Sequence, residues 1–314
     1  MKAVVIDTFG GNEVVEIKDV PRPSPGPDEV LIKVHAASIN PVDWKIRSGM
    51  VKIISGSRFP MILGRECAGE VIETGREARK YKKGDEVIGL PGIRRLGAFA
   101  EYACAPERTV FPRPTNLGFG EAATIPIAGL TALQSLRDKG HIAPGKKVLI
   151  NGASGGVGHF AIQIARIFGA EVTGACSGVN ADFVKGLGAD HVIDYTEEDF
   201  TNGSARYDII FDVVAKRSFG ECKKVLHTGG IYVCTLPAFP IILSQYITGY
   251  FSGKKARLIM VSPNAADMEW MKTQIEAGRI RIVIDKVYPL GEARDALAHS
   301  ESGRVRGKIV LKMM

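Results

Sequence analysis

The chain lacks the features that mark several large classes of protein. Its 314 residues include five cysteines, an odd number, and no C-x-x-C pair, which argues against a disulfide scaffold and a structural zinc ribbon. No apolar run approaches the roughly 20 residues that a membrane-spanning helix needs. Met1 leads directly into an apolar strand, without the charged segment of a secretion signal. We therefore expect reduced thiols, no membrane span and a cytoplasmic location.

Charge of one sign also never accumulates in one place. The net charge is +7, but lysine and arginine are scattered, and no run is long enough to form a nucleic-acid-binding arm. Apolar residues make up 45% and charged residues 24% of the chain, as in ordinary globular proteins of about two domains. There is no internal repeat. We expect small-molecule ligands and no nucleic-acid partner.

The most informative stretch is residues 146–166. The apolar run Val148–Ile150 predicts a buried strand, and a helical pattern that ends at Gly169 follows it. Between them lie four glycines: Gly152, Gly155, Gly156 and Gly158. Strand, glycine turn and helix together are typical of a dinucleotide site, because backbone N–H groups and the helix N-terminus can approach a pyrophosphate. The glycines alone are weak evidence, since any tight turn favours them, and the context strengthens the prediction.

The distribution of strand and helix patterns predicts two domains. Residues 1–110 contain short β runs separated by Pro and Gly, as in a small irregular barrel or sandwich. After the glycine-rich stretch, strands alternate with helices, which predicts a parallel doubly wound sheet. The strand-rich character returns near the end of the chain. We predict an α/β protein with a discontinuous first domain, 1–123 and 264–314, and an inserted nucleotide-binding domain, 124–263.

Several elements are predicted within this plan. We expect a short helix near Glu197–Phe200 and a helix at Ser218–Leu226 that Gly229-Gly230 closes. A strand is expected at Arg281–Ile284. The apolar run Arg257–Val261 predicts a strand at the margin of the sheet, and an exposed edge invites pairing, so a homodimer formed by edge-to-edge extension is one possible assembly.

Segments along the whole chain resemble one enzyme family. The stretch 146–166, with Gln163 and Arg166 on its helix, resembles the zinc-independent quinone oxidoreductase (zeta-crystallin-like) and 2-alkenal reductase branch of the medium-chain dehydrogenase/reductase superfamily. The other matching segments are Ala36–Asp43, Phe59–Val71, Gly84–Val87, Ala128–Ala132 and Gly307–Leu311. The resemblance implies a GroES-like β-rich catalytic domain and a Rossmann domain that binds a nicotinamide cofactor.

The zinc ligands of the metal-dependent relatives are replaced in this sequence. Those relatives carry G-H-E-x-x-G, where this chain has Arg65 in place of the histidine. They place a cysteine in the segment occupied here by Asn40–Asp43, and four cysteines near Leu90–Gly97. The six histidines show no metal-ligand spacing. We therefore expect no zinc. Without a Lewis-acid metal, oxidation of an alcohol as a metal alkoxide is disfavoured, and we expect reduction of an already electron-poor conjugated carbonyl compound.

The end of the second Rossmann strand bears on the choice between NADPH and NADH. Enzymes that select NAD commonly place an acid there, and residues 175–180 contain none. Ser177 and Asn180 can donate hydrogen bonds to a 2′-phosphate, and Tyr195 resembles the family's phosphate-contacting tyrosine. The family's usual basic residue is replaced by Val179, so neutral hydrogen bonds stand where a charge-assisted one is expected. We favour NADPH over NADH.

The resemblance places the other cofactor contacts at Thr131, Ser154, Gly155, Gly156, Val157 and Lys308. Asn40 is the candidate for polarising the substrate oxygen, because its amide N–H can bond an oxygen on which negative charge develops. An Asn before a Pro is also an ordinary turn residue. Asp43, Trp44, Tyr246 and Tyr250 are candidate cleft residues, with loop fixing, core packing or dimer packing as the alternative roles.

The predicted reaction is hydride transfer from NADPH to a quinone, enone or enal, with a proton from solvent or a nearby donor. Two other functions stay open. One is a zinc-free alcohol or ketone reductase, or an enoyl-thioester reductase, of the same superfamily. The other is an NADPH-binding protein with little turnover, because some members of the family are crystallin-like, RNA-binding or membrane-associated proteins of this kind. The lack of an aromatic-basic cluster argues against RNA binding.

Overall fold

The computed structural model describes residues 1–93, 95–237, 239–251 and 253–313, without the side chains of residues 239, 240 and 249–251. The side chain of Tyr250, a predicted cleft residue, therefore lies outside the described residues. The chain divides into two compact units, residues 1–127 with 263–314, and residues 128–262. The second unit interrupts the first along the chain.

The strands in chain order are β1 (Lys2–Ile6), β2 (Glu16–Asp19), β3 (Glu29–Ile39), β4 (Met61–Ile62), β5 (Cys67–Thr74), β6 (Glu86–Gly89), β7 (Tyr102–Pro106), β8 (Val110–Pro112), β9 (Lys147–Asn151), β10 (Glu171–Cys176), β11 (His191–Asp194), β12 (Tyr207–Asp212), β13 (Leu226–Cys234), β14 (Lys255–Leu258), β15 (Ile284–Pro289) and β16 (Lys308–Lys312). The α-helices are α1 (Pro41–Arg47), α2 (Lys52–Ser55), α3 (Phe119–Ala122), α4 (Ile125–Gln134), α5 (Gly158–Ile167), α6 (Ala181–Gly186), α7 (Phe219–Cys222), α8 (Phe239–Phe251), α9 (Ala265–Glu276) and α10 (Ala293–Glu301).

The first unit is built around β3. This strand is buried except at Lys33, which is exposed, and His35, which is partly exposed. It pairs antiparallel with β5, β7 and β16, in a sheet of order β15-β16-β3-β5-β6-β8. A second, smaller sheet has the order β2-β1-β4. Because β16 lies between β15 and β3, the last strand of the chain completes a sheet that the first hundred residues begin.

The second unit is a parallel sheet of order β11-β10-β9-β12-β13-β14 within the described residues. Its central strand β9 is a continuous apolar run, as expected when both faces of a parallel sheet are covered. Helix α5 follows β9 and ends at Ile167, two residues before Gly169, which adopts a φ of +72°. The strand predicted at Arg257–Val261 is confirmed at the margin of the sheet, but β14 begins and ends earlier, at Lys255 and Leu258. The predicted α/β class, a β-rich domain with a Rossmann domain, is confirmed as well.

The helix predicted at Glu197–Phe200 is wrong. The Asp194 carboxylate accepts hydrogen bonds from the N–H and the hydroxyl of Thr196, at 2.9 and 2.7 Å, which closes a turn instead. A single 3₁₀ turn then covers Phe200–Asn202, capped by the side chain of Asp199. Short acidic side chains that bond the backbone two residues ahead favour turns over helices.

Two further element predictions differ from the structure. Gly229 and Gly230 lie inside β13 and do not close a helix, because α7 ends at Cys222 and one 3₁₀ turn connects it to the strand. Gly229 has a φ of +82°, which bends the strand where it changes register against β12. The strand expected at Arg281–Ile284 begins only at Ile284, the residue that pairs with Lys308 of β16.

Candidate functional site

The glycine-rich turn after β9 forms a corner with free backbone donors. A side chain at Gly158 would place its Cβ 2.1 Å from the Gly152 carbonyl oxygen, so the close turn requires glycine there. Within the described part of the chain, the N–H groups of Ser154, Gly156 and Val157 have no protein acceptor. These N–H groups precede the N-terminus of α5, and the residues are partly exposed. The corner therefore fits an anionic group such as a pyrophosphate.

A buried carboxylate fixes the loop next to this corner. Asp212, fully buried at the end of β12, accepts hydrogen bonds from Asn151 Nδ2 at 2.8 Å and from the Tyr232 hydroxyl at 3.0 Å. It also accepts the N–H groups of Ala215 and Arg217. Burial raises the pKa of this carboxyl group. Sequence reasoning missed Asp212, although an acid at the end of an apolar strand is a signal that a search could use.

Ser177, Asn180 and Tyr195 lie beyond the ends of the neighbouring strands β10 and β11. Asn180 Nδ2 donates to Ser177 Oγ at 3.0 Å, and the Tyr195 ring is 54% exposed. Strands β10 and β11 are parallel, with Cys176 opposite Asp194, so both loops emerge at the same edge of the sheet. The structure thus brings these three predicted contacts to one edge, where open α/β sheets bind ligands.

An acid does lie near this edge, although residues 175–180 contain none. The Asp194 carboxylate reaches Gly178 so closely that a Cβ at Gly178 would lie 2.2 Å from Asp194 Oδ2. The hydrogen bonds from Thr196, followed by the N–H of Gly178, lower the pKa of Asp194, which is therefore ionised. This acid belongs to β11 and not to β10, and the parallel register brings it to the same edge.

Two other predicted residues of this unit lie on helices. Thr131 is 9% exposed within α4, and Tyr246 is 66% exposed on α8. Tyr246 therefore belongs to an exposed apolar face of α8, which includes Leu243 and Ile247 at 47% and 51% exposure. The roles of Thr131 and Tyr246 stay predictions.

The first unit contains a buried polar cluster of Asn40, Glu66 and Lys308, with exposures of 4%, 0% and 3%. Lys308 Nζ donates to Asn40 Oδ1 at 2.7 Å and lies 3.3 Å from Glu66 Oε1. Asn40 Nδ2 donates to Glu66 Oε1 at 2.7 Å, and the Ile127 N–H donates to Glu66 Oε2 at 2.7 Å. The ammonium group compensates the buried carboxylate, as a buried charge requires.

The hydrogen bonds of this cluster bear on the predicted roles of Asn40 and Lys308. One N–H of the Asn40 amide bonds Glu66, and the other has only a 3.4 Å contact with the Ser38 carbonyl. The Lys308 ammonium, predicted to contact the cofactor, bonds Asn40 and Glu66. Both predicted roles stay predictions, and the structure adds Glu66, whose hydrogen-bonding role sequence reasoning missed because its partners are distant in sequence.

Asp43, Trp44 and Arg65 adjoin this cluster. Asp43 is fully buried on the first turn of α1, where its Oδ2 accepts the Asn40 N–H at 2.7 Å. Burial raises the pKa of Asp43 to about 7, against the opposing effects of the Asn40 hydrogen bond and the Arg65 charge. Asp43 Oδ1, Trp44 Nε1 and Arg65 Nε are buried and have no hydrogen-bond partner in the described residues.

The chain is similar to proteins of known family. Residues 187–311 match the family described as "Zinc-binding dehydrogenase", and residues 26–115 match "Alcohol dehydrogenase GroES-like domain". The chain is 36% identical to a chloroplast envelope quinone oxidoreductase homolog of Arabidopsis thaliana, over 99% of this chain and 98% of that one. It is 34% identical to a 2-methylene-furan-3-one reductase of Solanum lycopersicum (99% and 79%) and 33% identical to a mitochondrial NAD(P)H oxidoreductase of Bos taurus (100% and 89%).

The fold is similar to that of a solved enzyme. The structure of the quinone oxidoreductase from Coxiella burnetii superposes with a TM-score of 0.93 at 35% identity, over 100% of this chain and 99% of that one. In the described residues, no helix is long and apolar enough to cross a membrane.

Proposed function

The chain belongs to the medium-chain dehydrogenase/reductase superfamily, and we propose that it is an NADPH-dependent, zinc-free reductase of quinones or α,β-unsaturated carbonyl compounds. One relative is named a quinone oxidoreductase homolog and another an NAD(P)H oxidoreductase, and this chain is an oxidoreductase as well. The observation that carries the proposal is the glycine corner, whose N–H groups at Ser154, Gly156 and Val157 have no acceptor in the described part of the chain. Quinone and enone acceptors are suggested by the names of two relatives.

Three features support NADPH as the cofactor. Ser177 and Asn180 offer a hydroxyl and an amide, and the exposed Tyr195 phenol lies at the same edge. The Asp194 carboxylate bonds Thr196 with one oxygen and lies against Gly178 with the other, so protein donors already occupy it. A ribose 2′-hydroxyl therefore gains less from this acid than from a free carboxylate.

The side chains in place of the zinc ligands do not fit a zinc ion. Zinc takes thiolate, imidazole or carboxylate ligands. Asn40 offers an amide that Glu66 and Lys308 occupy, and Arg65 offers a guanidinium group, which has no lone pair to donate. Glu66 and Asp43 are carboxylates with zinc-binding chemistry, but Lys308 compensates the charge of Glu66, and the described residues hold no group of three His, Cys, Asp or Glu side chains that could bind a metal ion.

The chemistry divides between the cofactor and the chain. A bound reduced nicotinamide supplies a hydride, and a proton from solvent completes the two-electron reduction of the acceptor. The chain's residues hold the phosphates at the glycine corner and present a polar wall around Asn40, Asp43 and Arg65. Such a wall orients a carbonyl oxygen and stabilises the negative charge that develops there.

Consumption of NADPH with a panel of acceptors tests the proposal. We expect oxidation of NADPH with 9,10-phenanthrenequinone and with 2-alkenals, and slower reaction with saturated ketones and acyl-thioesters. Preference for an acyl-thioester or a ketone would instead favour the other reductases of the superfamily. Tight NADPH binding without turnover of any acceptor would favour a binding protein. Chelator treatment should leave the rate unchanged.

We also propose that the protein is a homodimer. Strand β14 is the marginal strand of its sheet in the described residues, and its Ala256 and Leu258 N–H groups donate to Thr248 and Gln245 of α8. The apolar face of α8 exposes Leu243, Tyr246 and Ile247. Contiguous exposed apolar side chains are typical of a subunit interface, so this helix face carries the proposed contact. The cytoplasmic location stays a prediction, which cell fractionation can test.

A further inference from the structure

We propose that the Arg65 guanidinium binds the oxygen of the carbonyl or quinone acceptor and stabilises the negative charge that forms on it. This proposal rests on the proposed reductase function and names a catalytic residue for it. Arg65 directly precedes Glu66 of the buried cluster and is itself only partly exposed.

Among the described residues, the guanidinium of Arg65 has no hydrogen-bond or ion-pair partner. In the described ranges it makes no ion pair and no hydrogen bond, and its Nε is buried. A buried donor without a partner destabilises the fold, and more so when the group is charged. Two other arginines of this unit with little exposure are engaged: Arg47 bonds Glu301 and Asn12, and Arg113 bonds Glu86. A ligand that accepts hydrogen bonds would remove this destabilisation.

The neighbouring carboxylate does not neutralise Arg65. Both oxygens of Glu66 are occupied by Asn40, Ile127 and Lys308, and the Lys308 ammonium compensates its charge. The other acid that senses the Arg65 charge is Asp43, whose burial raises its pKa to about 7. At neutral pH, Asp43 is therefore only partly ionised, and the wall retains positive charge.

Further buried polar atoms beside Asn40, Asp43 and Arg65, which form the polar wall, lack hydrogen-bond partners among the described residues. Besides Arg65 Nε, the buried atoms Ser38 Oγ, Asp43 Oδ1 and Trp44 Nε1 have no hydrogen bond in the described chain. Ser38 is tied to this wall because its N–H donates to the Glu66 carbonyl at 3.3 Å. Buried polar atoms without partners are rare, and several together indicate a place for a polar ligand.

The charge of Arg65 suits the electron flow of the reaction. When a hydride adds to the electrophilic carbon of an enone or quinone, a π-electron pair moves to the oxygen, which becomes an enolate; after protonation, the quinone adduct tautomerises to the hydroquinone. A guanidinium remains protonated, so it stabilises this oxyanion without transferring a proton, and solvent supplies the proton afterwards. The Asn40 amide, held by Glu66 and Lys308, then acts as a positioning group for the wall.

Kinetics of variants test the role of Arg65. In Arg65→Met we expect kcat with 9,10-phenanthrenequinone to fall about 10²–10³-fold, with the Kd for NADPH unchanged. In Arg65→Ala, millimolar guanidinium ion should restore part of the lost kcat, which a merely structural role would not allow. Arg79→Met is the matched control, because Arg79 is an exposed arginine of the same unit; its kcat should equal that of the wild type. An Arg65→Met enzyme with wild-type kcat would overturn the proposal.

A binding measurement without NADPH gives an independent readout. We expect 4-nitrophenol to bind the wild-type protein as the phenolate, seen as a rise in its visible absorbance at a pH where the free compound is mostly neutral. Arg65→Lys should keep part of this shift, and Arg65→Met should abolish it. Binding of the neutral phenol to the wild type would refute the proposal, even if the methionine variant fails to fold. Phenolate binding without quinone reduction would refute the proposed function and leave the anion site standing.

Discussion

At the scale of single residues, burial changes the protonation of Asp43 near neutral pH. It is fully buried at the start of α1, and its pKa is raised to about 7. The folded protein therefore holds a proton that the unfolded chain releases near pH 4, so the free energy of unfolding should fall as the pH rises from about 4 to about 7.

Replacing Asp43 by Asn should remove this dependence. Urea denaturation of the wild type is expected to give a free energy of unfolding lower by about 1–4 kcal/mol at pH 8 than at pH 5, after subtraction of the same difference for Asp43→Asn. The subtraction removes the contribution of the histidines. Parallel pH profiles for the two proteins would show that Asp43 is not protonated at neutral pH.

The negative charge of Asp194 is expected to limit the preference for NADPH over NADH. Its ionised carboxylate lies against Gly178, at the edge where Ser177 and Tyr195 are expected to meet the 2′-phosphate. Asp194→Asn should raise the ratio of kcat/KM for NADPH to that for NADH about three- to tenfold, because one like charge is removed. Glu197→Gln removes an exposed charge from the same turn and should change the ratio less than about twofold. Equal ratios in the wild type and Asp194→Asn would mean that the carboxylate does not face the ribose.

At the scale of elements, two glycines of the corner are expected to have different roles, Gly158 in stability and Gly155 in cofactor binding. At Gly158 a methyl group would lie 2.1 and 2.7 Å from the carbonyl oxygens of Gly152 and Ala153, so Gly158→Ala should lower Tm and weaken NADPH binding together. At Gly155 the nearest atom to a new Cβ is 3.5 Å away. Gly155→Ala should therefore keep the wild-type Tm but raise the Kd for NADPH about tenfold, because the methyl group stands where the pyrophosphate approaches. Thermal denaturation and fluorescence titration measure both. Wild-type affinity in Gly155→Ala would place the phosphates elsewhere.

The sequence predicted those elements whose signals are local. The strand, glycine turn and helix from Lys147 to Gly169 follow from about twenty consecutive residues, and the structure has them where the pattern places them. The strand margin at β14 was also predictable, because an apolar run near the end of a βα alternation falls at an edge. Short helices were not, since the Asp194 and Asp199 side chains bond the following backbone and close turns instead.

The polar cluster could not be predicted in the same way. Lys308 and Asn40 are 268 residues apart, and they meet because β16 pairs with β3 across the inserted unit. No periodicity or spacing reports such a contact. Asn40 was found through its resemblance to a family motif, and Lys308 likewise, but the hydrogen bonds that join both to Glu66 appear only in the folded unit.

At the scale of the whole molecule, the exposed face of α8 predicts the assembly. Leu243→Glu with Ile247→Glu should convert a dimer to a monomer in sedimentation velocity, because two charges would be buried at the interface. Ile53→Glu is the control, since Ile53 is 91% exposed in the other unit. A wild type that sediments as a monomer at micromolar concentration would contradict the dimer.

The place of β16 has a consequence for the order in which the protein forms during translation. The second unit ends at residue 262, so it can fold while the ribosome is still adding residues 263–314. The first unit cannot complete its sheet before β16 is synthesised. Until then Glu66 lacks its Lys308 counter-ion, and β3 lacks one of its neighbouring strands. During this interval the second unit is folded, while the sheet of the first unit still lacks β16. The exposed edge of β3 is then open to non-native pairing, and a chaperone that covers it would have its largest effect at this stage.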